Sequence, residues 1–410
     1  MRQRGSAFIM ALVAIVVLAA VLASAAANTR TMLKGQAHRI DEQRAERMAE
    51  AAIQFAIAQM LTVDTATVTF DDDWALIGEA GDEAIYVGDG YFRVEIIDAG
   101  SRVNLNLATR EQFEILGLLP DQIDSILDWR EPDLQPRIEG AKDEYYNALT
   151  DPYNVKLADF DTVDELLMVK GIDAQTLYEP PTETSGALTL LGGAVEDLPP
   201  LYDIFTVDSE SPNVTPSGQP KLNVNTGAEN EMVDLGIPED LADAITDRRR
   251  DEGTFASWAE LFQVPGVTLQ NVDVLLDILT FATTNESRGM INVNTATEAT
   301  LFSIPGLTSD IIQAILDRQG TFITLGDLAG IPGITLDALG GIAGMTTTGS
   351  QSFVIRAMGV FGGRSVALQA FVVLGEFGPE IRRTVRFPFA DVAFRWGWNE
   401  EAGFDSELIN

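Results

Sequence analysis

An uncharged run of 22 residues, Ser6 to Ala27, built mostly from Ala, Val, Leu and Ile, constrains this chain more than any other feature. As a helix it spans about 33 Å, the hydrocarbon thickness of a bilayer. A helix apolar on every side is a poor fit to a water-soluble domain, where one face meets solvent. A basic pentapeptide, Met1-Arg2-Gln3-Arg4-Gly5, precedes the run, and no proline interrupts the chain before Pro120. Past the run, Ala45, Met48, Ala49, Ala52, Phe55, Ala56 and Met60 recur at helical spacing on one stripe. The pattern predicts a single helix from Ser6 to Leu61, about 84 Å long, half in lipid and half packed on a folded domain. The rival is an exported soluble binding protein that loses the run as a signal peptide, with Ala23, Ala25 and Ala27 offering a cleavage site. The leader that stops at Gly5 and the unbroken continuation into an amphipathic segment favour the retained helix.

Charge is divided unevenly. Residues 1–50 carry a net +3, whereas residues 51–410 carry −38. A surface that acidic repels phosphate backbones and suits basic partners or divalent cations. The chain has no cysteine and one histidine, His38, just beyond the apolar run. Disulfides, thiolate nucleophiles and Cys-ligated metals are excluded, and the common nucleophile–base pairs lack a base. No phosphate loop or dinucleotide fingerprint is present. The expectation is a protein that is not an enzyme.

The body of the chain repeats. Val103-Asn104-Leu105-Asn106-Leu107-Ala108-Thr109, Leu222-Asn223-Val224-Asn225-Thr226 and Ile291-Asn292-Val293-Asn294-Thr295-Ala296-Thr297 are three copies of one element, read as a turn and helix N-cap. Each leads into a helix-like segment ending at Asp128, Asp247 or Asp317. A second landmark follows: Phe160, Phe255 and Phe322 each stand 11 residues before a glycine, Gly171, Gly266 and Gly333. An acidic-Leu pair lies between, in a segment read as a helix that the glycine terminates at positive φ. Two short helices joined by a hairpin make a helix-hairpin-helix (SAM-like) unit. Its common use is DNA binding, which gives the alternative reading of a nucleic-acid-binding or DNA-uptake pilin-like protein. The hairpins Ile304-Pro305-Gly306-Leu307 and Val264-Pro265-Gly266-Val267 lack a second glycine and nearby Lys or Arg. No nucleic acid is therefore expected as a partner.

A short basic leader ending in Gly before a long half-membrane helix resembles a type IV pilin or pseudopilin precursor. Copy one adds a 32-residue interval from Asp128 to Phe160, against eight and five residues in the others. There Asp128-Trp129-Arg130-Glu131-Pro132-Asp133 and Gly140-Ala141-Lys142-Asp143-Glu144-Tyr145-Tyr146 are similar to a signature of K-type minor pseudopilins of bacterial type II secretion systems, the general secretion pathway protein K family. Leu201-Tyr202-Asp203-Ile204-Phe205-Thr206-Val207 is similar to that family's approach to its second Asn-x-Asn-Thr element. The family also lacks the Glu usual at the fifth mature pilin position, here Met10.

The resemblance implies a subunit capping the tip of the pseudopilus, in company with other minor pseudopilins, the prepilin peptidase and the inner-membrane secretion platform. It implies cleavage between Gly5 and Ser6, methylation of the new N-terminus, a single pass through the inner membrane and a periplasmic soluble domain. It also implies Ca2+, with Asp128, Asp133, Asp143 and Glu144 as candidate ligands. Lys142 and Leu134 stand where the family more often has acids.

The expected fold is α+β: a pilin-like long helix on an antiparallel sheet, with a large helical insertion between strands. The divisions read from the sequence are a leader (1–5), the transmembrane part of the helix (6–27), and the rest of the helix with the first strands (28–100). Then come repeat one with its acidic insertion (101–178), a proline-rich linker (179–220), repeat two (221–280) and repeat three (290–346). C-terminal strands (351–388) and a tail (389–410) close the chain. In the tail, Trp396 and Trp398 are expected to pack from one strand face.

Overall fold

A computed structural model describes residues 3–77, 81–180, 199–387 and 392–398. The first helix runs unbroken from Gln3 to Gln59 and closes with a 3-10 turn at Met60–Thr62. Residues 12–34 are all exposed, and continuous burial against the sheet begins only at Ala45. Ala45, Ala49, Ala52, Ala56 and Met60 then form a fully covered stripe, as the spacing predicts.

That stripe lies on a five-stranded antiparallel sheet. Its spatial order is Ile85–Val87, Gly90–Asp98, Ser352–Phe361, Arg364–Gly375 and Gly378–Phe387. Strands form in both regions where the sequence divisions place them, two before the head and three after it. The helix can lie close because its contact residues are small and the strand beneath carries Gly359. A Cβ there would sit 2.0 Å from Ala45 O and 2.3 Å from Ala49 N. Trp74, Phe92, Val94, Phe353 and Ile355 fill the rest of this core.

Residues 99–351 leave and re-enter the sheet between neighbouring strands, where Asp98 pairs with Phe353. They form a head of three modules. Each module is closed by a two-residue parallel ladder between its Asn-x-Asn element and its own C-terminal end: Val103–Asn104 with Phe205–Thr206, Leu222–Asn223 with Leu279–Thr280, and Ile291–Asn292 with Thr346–Thr347.

These ladders correct the linker reading of 179–220. Among its described residues, Phe205–Thr206 completes the first module, and Glu210–Pro212 pairs with Glu286–Arg288. Among the described prolines there, Pro212 lies within a paired segment and Pro220 bridges to Val214, so this part is not an open tether. The tail also differs from expectation. Val392–Arg395 is a short helix, not a strand. Trp396 and Trp398 both pack inward, with ring centroids 4.9 Å apart. Trp398 Nε1 donates to Glu95 at 3.1 Å.

Candidate functional site

The three Asn-x-Asn elements do one job with two side chains. The first Asn closes an Asx turn: Asn104, Asn223 and Asn292 each accept from the N–H two residues on, at 3.0, 2.8 and 3.0 Å. The second Asn clamps the Phe landmark. Asn106 donates to Phe160 O (3.0 Å) and accepts from Phe160 N–H (2.7 Å). Asn225 does the same with Phe255 at 2.9 and 2.8 Å. Asn294 donates to Phe322 O at 2.8 Å and accepts from Phe322 N–H at 3.4 Å. A carboxamide carries both functions needed to satisfy a backbone N–H and C=O at once, which explains Asn at this position. The two repeated landmarks are thus two halves of one contact.

The helix N-cap is not supplied by these asparagines. It lies three residues after the second Asn, at Thr109 and Thr297, which accept from Gln112 and Thr300 N–H. The asparagine side chains are already spent on turn and clamp. In the second copy that position is Ala228, and Glu231 instead accepts from its N–H at 2.8 Å. The segments after the Phe landmarks are short: 3-10 helices at Val163–Met168 and Leu325–Gly330, and one α-turn at Trp258–Leu261. Gly171, Gly266 and Gly333 do not terminate these segments, whose C-caps are Val169, Phe262 and Ile331; they follow in the next turn with φ of 83°, 97° and 82°, a region costly for other residues.

A third shared contact escaped the sequence reading. Arg130 donates to Leu105 O and Ala108 O, Arg249 to Val224 O and Gly227 O, and Gln319 to Val293 O and Ala296 O. The two arginines stand two residues past Asp128 and Asp247, so aligning the repeats on those acids would have exposed them.

The acidic insertion follows the helix Pro120–Arg130. Asp128 is fully buried, its carboxylate accepting from the Arg137 N–H (3.0 Å) and from Arg137 Nη1 (2.8 Å). Arg137 also reaches Glu131 at 2.5 Å. Burial opposes the Arg137 charge, but Glu131 and Asp128 outweigh it and push its pKa up. Lys142 is 5% exposed and donates to Asp128 O and Glu131 O at 2.5 and 3.0 Å. Burial pushes its ammonium below the ordinary range, against the pull of Asp128. Asp133 lies exposed, accepting from Gln135 N–H, while Asp143 accepts from Val155 N–H and Glu144 is exposed.

The four candidate ligands are therefore not drawn to one point. Among the described residues no group of three or more His, Asp or Glu is placed to hold a metal ion. The donor set at Asp128 is already taken by cationic side chains and does not fit Ca2+, which needs six to eight free oxygens.

The head is joined to the sheet through a buried network. Arg356, on the central strand and 3% exposed, reaches Asp203 at 2.9 Å and Glu95 at 3.3 Å, and Arg102 also pairs with Asp203. Burial opposes the Arg356 charge, yet Glu95, Tyr202 and Asp203 push its pKa above the usual arginine value. The third module is tied through Asp98, which accepts from Asn292 (2.9 Å) and Thr295 (2.6 Å).

At the other end, the first helix is the one described helix long and apolar enough to cross a membrane. Gly5 and Ser6 lie within it.

No curated protein matches the chain by sequence. Among solved structures, the crystal structure of the GspK-GspI-GspJ complex from the enterotoxigenic Escherichia coli Type 2 Secretion System contains a similar chain. The TM-score is 0.47 at 12% identity, over 88% of this chain and 100% of that one. Residues 107–179, which include the acidic insertion, match the family described as Type II secretion system (T2SS), protein K. That match bears out, over residues 107–179, the resemblance read from the acidic insertion.

Proposed function

We propose that the chain is the minor pseudopilin that caps the pseudopilus tip, held in the inner membrane by its first helix with sheet and head in the periplasm. The observation that carries this reading is the contrast along one helix. Residues 12–34 have no protein cover, while from Ala45 onward the same helix is sealed against the sheet. The bare half, with exposed Met32, Leu33 and Ile40 beyond the apolar run, suits packing among the helices of other minor pseudopilins. A head of 253 residues between two adjacent strands obstructs a further subunit above. In this reading the prepilin peptidase cuts between Gly5 and Ser6, and the inner-membrane platform receives the anchored subunit. The modules are helix-hairpin-helix units used for packing, with no catalytic step and no nucleic acid.

Mass spectrometry of the protein purified from membranes tests the anchor. A mature chain starting at methylated Ser6 is expected; a start after Ala25 or Ala27 would replace the anchored subunit by an exported soluble protein. Co-purification with other minor pseudopilins from detergent-solubilised membranes tests the assembly, and its absence would remove the tip role.

A further inference from the structure

Asp124 and Asp128 lie one turn apart on the helix Pro120–Arg130, and both are buried. Two buried carboxylates so placed repel each other and require positive charge or several donors. The insertion supplies both from within the chain. Glu139 N–H donates to Asp124 Oδ2 at 3.0 Å, and Arg110 pairs with the other oxygen. Arg137 gives Asp128 one backbone and one guanidinium donor, so both carboxylate oxygens are engaged. Lys142 covers the carbonyls of Asp128 and Glu131, where a helix gathers negative potential at its C-terminal end. The loop passes so tightly that a Cβ on Gly140 would lie 1.9 Å from Asp128 Oδ2.

We propose that Arg137 and Lys142 form a resident cation: two covalently held positive charges that organise the acidic insertion and make the first module independent of divalent metal. A divalent ion seated on these oxygens would displace Arg137 from Asp128 and meet the Lys142 ammonium at close range. Charge on the insertion is thereby balanced at a fixed stoichiometry whatever the ion content around it.

Thermal unfolding of the full chain in detergent tests this, with millimolar calcium chloride against excess chelator. Superimposable melts are expected for the wild type. Lys142→Gln and Arg137→Gln are expected to melt lower and to gain a calcium-dependent rise of about 2 °C or more, whereas Arg137→Lys keeps the insensitivity. A wild-type chain that loses stability in chelator and regains it with calcium overturns the proposal. So does saturable calcium binding to the wild type by titration calorimetry at micromolar concentrations. Variants that melt with the wild type and ignore calcium overturn it as well. The wild-type arms decide even if a variant does not fold.

Discussion

The long-helix–sheet unit and the three-module head are held together by opposite means. Under the helix, Ala45, Ala49 and Gly359 leave no room for a side chain, and contact is made backbone to backbone. In the head, asparagine carboxamides tie Phe backbones across 54, 30 and 28 residues. A long rod on a strand gains enough close contact from shape alone. Short helices of four to fourteen residues bury less each, so discrete polar ties fix their partners.

The comparison breaks most severely at the residue that joins the two units. Arg356→Ala removes the guanidinium shared by Glu95 and Asp203, leaving Asp203 only Arg102 and Glu95 only Trp398, and is expected to cost about 3 kcal/mol, read as a lowered urea midpoint for the full chain. Next comes Gly359→Ala, which drives a methyl into the helix backbone. A loss of about 3 kcal/mol is expected, and it should loosen the helix from the sheet in hydrogen exchange while the head keeps its protection. Asn294→Ala should do the reverse. It strips the Phe322 peptide of its partners at about 2 kcal/mol and exposes the third module to limited proteolysis ahead of the sheet. Smallest is the capping pair. Thr297→Ala is expected to cost about 1 kcal/mol, and Ala228→Thr to add up to about 1 kcal/mol by supplying the cap the second module lacks. If Thr297→Ala and Asn294→Ala prove equal in effect, the clamp is not what distinguishes the head.

Much of this was legible in the sequence. The unbroken helix followed from the absence of proline and the alanine stripe. The repeats showed themselves through spacing. What spacing could not show was that the Asn and Phe landmarks touch, because a contact across 28 to 54 residues leaves no local signature. The two-residue ladders are too short to register as strands, so Phe205–Thr206 was lost among prolines. The acidic insertion misled for a different reason. Acids count as free oxygens in a sequence, while Arg137, only nine residues on, holds the Asp128 carboxylate and Lys142 holds the backbone carbonyls beside it.

The head departs from Asp98 and returns beside it at Phe353, partners on one antiparallel ladder. To the sheet, 253 residues are therefore equivalent to a hairpin connection: both ends enter at the spacing of ordinary paired strands, about 5 Å. The head is hung from that doorway and tied back to the sheet through Arg356 and Asp98. A chain built this way carries a head larger than the rest of the protein at the cost of one ordinary strand connection.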